Sequence, residues 1–238
     1  MRQASEQFER SKEQPLISVE TVLPSRILAE REAFSAADLS VPGLAVLFAF
    51  LTATSTATAL FRERKDGTFR RLLVAPMSKV AMVVGKLLPN MAKTLMQVLV
   101  LFMVGRFLLP LIGVGSLSLG DPFALVVIAV VIAVCSSTLG LLLGAIAKTE
   151  NQISTLGAVV LWVMGAVSGA FIPSFFLGEF LGTVGKLIPH YWAIAAFQDV
   201  LVRGEGIGGI GGKLAILAGF TVVFGVIGVW RFRFGDER

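Results

Sequence analysis

One histidine, His190, and one cysteine, Cys135, are all that this chain offers to metal or thiol chemistry. A zinc site needs three or four ligands of such types, and a Ser/His/Asp relay needs a histidine with partners arranged around it. His190 follows Pro189 in an apolar stretch with no second His or Cys at ligand spacing, so it reads as an interfacial histidine beside a helix start. Cys135 sits inside an apolar run and has no disulfide partner within the chain. Gly206-x-Gly208-x-x-Gly211 has the spacing of a dinucleotide fingerprint, but that motif works where a strand turns into a helix. Here it follows a short helical pattern and precedes a long apolar run. Gly211-Gly212-Lys213-Leu214 lacks the Gly at 207 and the Ser or Thr at 214 that a phosphate loop requires. No catalytic residue, cofactor-binding residue or metal ligand is assigned. The chain is not expected to be an enzyme, and any ATP must be handled by another protein.

What remains is charge. From Arg62 to Lys86, seven Lys and Arg (62, 64, 65, 70, 71, 79 and 86) face only Glu63 and Asp66, a net of +5 that equals the formal charge of the whole chain. Apolar runs long enough to cross a bilayer flank this stretch on both sides. A cluster of this kind reads as a cytoplasmic loop on which a soluble partner can pull.

The elements that must hold this loop are membrane helices. Of 238 residues, 55% are hydrophobic and 16% charged, and the mean hydropathy is +0.81. Soluble domains need about 25% charged residues to cover their surface. The expected class is an all-α, polytopic helical bundle. Its basic residues lie beside the spans, which suits the retention of Lys and Arg on the cytoplasmic side and not nucleic-acid binding.

Residues 1–41 are polar, with five basic and seven acidic side chains, and suit an external segment with a short helix around Arg26–Phe34. Val41-Pro42-Gly43 is expected to open the first of five spans, at about 44–61, 90–112, 123–147, 153–172 and 213–230. The first is rich in Ala, Ser and Thr, which let helices pack closely and bond through hydroxyls. Within the basic loop Gly67 can end the incoming helix and Thr68 can cap a new one. Phe69, Leu72 and Leu73 then share one apolar face, and Pro76 stops the helix. Ser78 is a candidate cap for the next. Lys86 and Lys93 are placed near the cytoplasmic boundary, because a lysine at mid-membrane costs about 2.5–3.5 kcal/mol. Arg106 is placed near the outer interface. Gly140-x-x-x-Gly144 is a small-residue contact, at least as suited to packing within the subunit as between subunits.

Residues 174–203 are apolar but interrupted, with pieces too short for a crossing of about 20 residues. Two short helices, about 175–187 and 190–203, dipping partly into the membrane, fit better, with Tyr191 and Trp192 at an interface. Gly204–Gly212 is expected to be a flexible loop. With 62–86 in the cytoplasm, the 148–152 turn and the C-terminal arginines fall on the same side. Residues 1–41, 113–122 and 173–212 fall outside. An external N-terminal segment needs a leading signal or span, so a further span before residue 1, and a longer parent protein, are expected.

These residues carry a resemblance. Glu63-Arg64-Lys65-Asp66-Gly67-Thr68, then Leu72-Leu73-Val74-Ala75-Pro76-Met77-Ser78, then Gly85-Lys86-Leu87, resemble the cytoplasmic loop of type-2 ABC transporter permeases. Ser168-Gly169-Ala170-Phe171-Ile172-Pro173 is similar to the family's motif after its penultimate span, and Ile188-Pro189 through Trp192, then Phe197 to Gly204, to the segment before its last. The resemblance runs from about residue 41 to the end. It implies an ATP-driven exporter of a drug, lipid or polymer, the chain being the permease and an ABC ATPase subunit its partner. A second permease copy and membrane lipid are the other partners. Residues 68–75 would be the coupling helix, with Glu63, Arg64, Gly67, Thr68, Phe69 and Pro76 at the ATPase contact. Gly169, Pro173 and Pro189 would shape an exit-side re-entrant segment. The family has six spans with an external domain after the first, of which this chain would hold the last five. A non-transporting membrane structural or assembly protein, or a truncated permease without function, is the rival reading. A secondary transporter would need ionisable groups or broken helices at mid-membrane.

Overall fold

The computed structural model describes residues 35–67, 79–171 and 178–231. The reading of 1–34 and the proposed helix at 68–75 with Thr68, Phe69, Pro76 and Ser78 lie outside them, as do Pro173 and the chain end after Arg231. Every regular element among the described residues is helical. The helices are α1 (Ala36–Lys65), α2 (Lys79–Met103), α3 (Pro122–Ile146), α4 (Ala158–Val167), α5 (Gly178–Gly185), α6 (Pro189–Leu201) and α7 (Ile207–Arg231). A π-helical turn, Val104–Leu108, and a 3-10 turn, Leu109–Ile112, prolong α2, and a π-helical segment, Gln152–Gly157, leads into α4.

Among the described residues, four helical stretches are long and apolar enough to cross a membrane: Ala36–Lys65, Ala81–Ile112, Pro122–Ile146 and Ile207–Arg231. The stretch expected as the 153–172 span is shorter, a π-helical segment of six residues and an α-helix of ten. It stops at Val167, and Gly169 takes φ +93°. Among the described residues, four of the five expected spans are therefore long enough to cross, and the fifth is represented by the shorter apolar helix Gln152–Val167.

The first span begins earlier than Pro42 suggested. The Ser35 hydroxyl accepts from Ala37 N–H (3.0 Å) and the Asp38 carboxylate accepts from Ser35 N–H (3.3 Å). This reciprocal cap starts the helix upstream. Pro42 lies inside it, withholding one donor from the ladder. The glycines after Gly206 are likewise helical and not a flexible loop, since α7 begins at Ile207. Unsatisfied backbone is costly near a bilayer, which favours helix even in glycine-rich sequence.

The core lies where α1 packs on α3. Phe50, Leu47, Ile128 and Ile132 are fully buried, and Phe197 of α6 closes the same cluster. Close approach depends on small residues. A Cβ at Gly140 would lie 2.6 Å from Thr56 Cβ and 2.7 Å from the Ala53 carbonyl oxygen, and one at Gly144 would lie 3.0 Å from the Ala57 oxygen. The Gly140/Gly144 pair is thus a contact within the subunit.

Hydroxyls tie the middle of the bundle. Thr52 Oγ1 lies 2.9 Å from Thr94 Oγ1 and 3.1 Å from Ser136 Oγ, and Ser136 donates to the Ala49 carbonyl (2.7 Å). Asn90 donates to Ser137 (3.0 Å). Of the α1 hydroxyls, Thr52 therefore bonds across helices, whereas Thr54 donates to the Leu51 carbonyl of its own helix (2.7 Å).

Candidate functional site

At one end of the bundle the sequence places its charge, and the structure gives that end a defined geometry. Helix α1 continues to Lys65 and ends on a reversal. Asp66 N–H donates to the Arg62 carbonyl (2.8 Å), Gly67 N–H donates to the Arg64 carbonyl (3.3 Å), and Gly67 takes φ +68°. Left-handed backbone after a helix end favours glycine because it has no Cβ to clash. Among the described residues no heavy atom lies within 4 Å of where a Cβ would stand at Gly67, so the demand there is conformational.

Two ion pairs fix the roots of the basic loop. Glu63 at the end of α1 pairs with Lys86 of α2, so the helices entering and leaving residues 68–78 are joined by opposite charges. Arg62 reaches the other way. Its Nε–H donates to Glu150 Oε1 (2.8 Å), and a guanidinium Nη2–H reaches the same oxygen. Glu150 precedes the π-helical lead into α4. The Arg62 hydrogen bond holds its carboxyl below the usual carboxylate range. Asp66 and Lys65 are exposed, while Leu60, Met82, Leu141 and Ala145 form a small apolar cluster beneath. The end is thus a charged platform braced to α1, α2 and α4.

Of the residues named from sequence, Glu63, Arg64 and Gly67 come together here; Thr68, Phe69 and Pro76 lie outside the described residues. Lys86 stands at this end, paired with Glu63. Sequence reading missed the Arg62–Glu150 pair, because 88 residues separate its partners.

The opposite end holds the other named positions. Gly169 sits in the turn after α4, where Ala170 packs against α1; a Cβ on Gly43 would meet the Ala170 oxygen at 2.3 Å. Pro189 opens α6 at its first turn, where its missing N–H costs nothing. Two short helices, α5 and α6, occupy the region where the sequence puts two. Pro173 lies outside the described residues. His190 is fully buried and stacks on Phe50, ring centroids 4.1 Å apart, so it is a core residue and not an interfacial one. Arg106 binds the loop before α3, donating to the Leu117 carbonyl (3.2 Å), while the Asp38 carboxylate accepts from Ser118 N–H (2.7 Å).

Comparison with known proteins identifies the family. The model of the family described as ABC-2 family transporter protein matches residues 2–230. The chain is 24% identical to the linearmycin resistance permease protein LnrN of Bacillus subtilis over 76% of this chain and 46% of that one. It is 24% identical to the inner membrane transport permease YhhJ of Escherichia coli over 94% of this chain and 58% of that one. A similar identity, 24%, links it to ABC transporter G family member 20 of Dictyostelium discoideum over 71% of this chain and 23% of that one. The chain thus spans about half the length of the two bacterial relatives. No solved structure matches it at comparable stringency. With apolar helices long enough to span a bilayer, a charged end braced between them, and a family match along nearly its whole length, this chain belongs to the ABC-2 family of transporter proteins, as a membrane permease.

Proposed function

We propose that this permease couples ATP hydrolysis by a partner ABC ATPase to export of a substrate across the cell membrane, with loop 62–86 and the C-terminus in the cytoplasm. The observation that carries this reading is the bracing of the basic loop. Glu63–Lys86 joins its two roots, and Arg62–Glu150 joins one root to the lead of α4. A partner that displaced the segment between these roots would move α1, α2 and α4 together, not bend a loose loop. Rigid elements moving as a body are how such transporters alternate access. Residues 68–75 act as the coupling helix, with Thr68, Phe69 and Pro76 at its entry, contact face and exit.

A second permease copy completes the path, which runs between paired α1 and α4 helices. Val159, Val160 and Val163 of α4 are more than half exposed in the single chain, which supports an apolar neighbour there. Helices α5 and α6 form the exit-side re-entrant segment, shaped by Gly169, Pro173 and Pro189. Similarity to LnrN, a linearmycin resistance permease protein, supports a toxic or drug-like substrate ahead of a polymer.

The deciding experiment is photo-crosslinking from positions 66 and 69 of the full chain to its co-expressed ATPase, together with Gly67→Val. Crosslinks at both positions are expected. Gly67→Val forces a β-branched residue into left-handed backbone, so it should insert normally and lose stimulation of the ATPase, while Gly67→Asn retains most of it. An inserted Gly67→Val protein with unchanged coupling, or absence of crosslinks at both positions, overturns the reading.

A further inference from the structure

The end of the bundle opposite the coupling loop holds a second cluster of charge that the proposed export cycle does not use. A cavity of about 150 Å³ opens there between the end of α4, α6 and the first turns of α7. Its wall includes Ser168, Trp192, Gln198, Asp199, Arg203 and Lys213. The Asp199 side chain is 1% exposed and accepts from both Arg203 and Lys213. One carboxylate between two cations leaves the wall with an excess of one positive charge. Ser168 is equally buried, and among the described residues its hydroxyl has no hydrogen-bond partner although it borders the cavity. A buried hydroxyl of this kind normally finds a partner.

The excess charge selects an anion. Among the described residues Arg203 bonds only Asp199, through Nη1, and 66% of its side chain is exposed. The rest of its planar fork is free to grip a phosphate through two parallel bonds. Tyr191 and Trp192 on the same wall would suit a cation, but Arg203 and Lys213 oppose one. Depth selects the source. Lys213 and Arg231 are the two cations of α7 and lie at either end of its apolar run. At 1.5 Å per residue they are about 27 Å apart, close to the roughly 30 Å of a hydrocarbon core. Lys213 and its partners therefore stand at the edge of the hydrocarbon core, where a lysine or arginine side chain can extend toward the lipid phosphates. Glu205 and Asp121 are not among the residues that line the cavity, although Glu205 N–H donates to the Asp199 carbonyl (3.0 Å).

We infer that this cavity binds the phosphodiester headgroup of a membrane phospholipid. Arg203 and Lys213 hold the phosphate, and Ser168 and Gln198 bond the polar headgroup atoms.

The test is native mass spectrometry of the full chain in maltoside detergent, titrated with dioleoylphosphatidylglycerol, with dioleoylglycerol (which lacks the phosphate), and with inorganic phosphate as competitor. Phosphatidylglycerol should bind about tenfold more tightly than dioleoylglycerol, and Arg203→Gln should remove about that factor, as loss of a charge-assisted bond predicts. Arg203→Lys, which keeps the pair with Asp199 but loses the fork, should weaken binding about threefold. Arg203→Gln retains Lys213 against Asp199, and an unchanged melting temperature establishes that it is folded. Equal binding of the two lipids, or equal binding by wild type and both Arg203 variants, overturns the inference. Displacement of the lipid by equimolar inorganic phosphate also overturns it and assigns the cavity to a free oxyanion.

Discussion

Arg62 Nε–H donates to Glu150 Oε1 at 2.8 Å, joining the last turn of α1 to the segment that leads into α4. Both side chains face solvent, so the pair contributes little to folding. Its consequence is mechanical: it decides whether α4 follows α1 when the loop is displaced. Arg62→Glu should weaken stimulation of the ATPase while shifting the melting temperature by no more than about 4 °C. The exchange Arg62→Glu with Glu150→Arg should restore stimulation, because the attraction is restored with its sense reversed. Failure of the exchange would assign Arg62 to the ATPase contact itself.

The same pair sets a pH dependence. The Arg62 hydrogen bond lowers the carboxyl pKa of Glu150 in the folded state. Its contribution is fully present above the ordinary Glu pKa of about 4.3. It disappears only as pH falls through the lower folded value. Coupling through this pair should therefore be flat from neutrality down to about pH 5. Glu150→Gln should mimic strong acid at neutral pH, as a comparison of ATPase stimulation across pH in the two proteins would reveal.

Glycines in this bundle differ in kind, and substitution should separate them. A Cβ at Gly140 would press on Thr56 Cβ and the Ala53 carbonyl of α1, whereas at Gly219 of α7 it would meet nothing within 4 Å among the described residues. Gly140→Val should cost about 1–3 kcal/mol through overpacking. Gly219→Ala should be neutral or stabilising by up to about 1 kcal/mol, since alanine suits a helix better. Thermal unfolding of the two variants in detergent checks both signs.

These cases indicate what the sequence could express. Gly67 was legible as a helix stop because a lone glycine closing a charged turn has a local meaning. The class of protein followed from composition, and the two short helices around Pro189 from apolar pieces too brief to cross. Pro42 misled, because the cap made by Ser35 and Asp38 lies upstream and overrides a proline that a membrane helix can tolerate. The glycines from 208 to 212 misled for the same physical reason: in lipid the backbone must satisfy itself, whatever its intrinsic preference. His190 looked interfacial beside Pro189, yet its ring packs on Phe50, 140 positions earlier. The Asp199 cluster was half visible as an Asp/Arg pair one helical turn apart. Lys213 joins it only because α7 folds back along α6.

The hydroxyl cluster of Thr52, Thr94 and Ser136 joins three helices at the centre of the bundle, all of it buried. Thr52→Val keeps the shape and removes the shared hydroxyl. Interhelical hydrogen bonds in membranes average about 0.6 kcal/mol and reach about 1.7, so Thr52→Val should lie near the upper figure, having two partners to lose. Thr94→Val should lie near the lower. A double-mutant cycle of Thr52 with Ser136, read by reversible unfolding, should return a coupling of the same size; additivity would mean that the hydroxyls are neighbours without a bond.

Asp199 carries the largest expected single effect. Its carboxylate is buried and answers two cations, so Asp199→Asn leaves Lys213 and Arg203 without their counter-charge. Removing one partner of a buried pair costs roughly 3–5 kcal/mol, chiefly through the charge left behind. Arg203 is mostly exposed and Lys213 partly so, hence the loss should fall at the low end of that range. Lys213→Met in the Asp199→Asn background should recover part of it, because the desolvated ammonium is then gone. Unfolding of the single and double variants in the same detergent measures this directly. A double variant less stable than Asp199→Asn would mean that Lys213 is held by something other than Asp199.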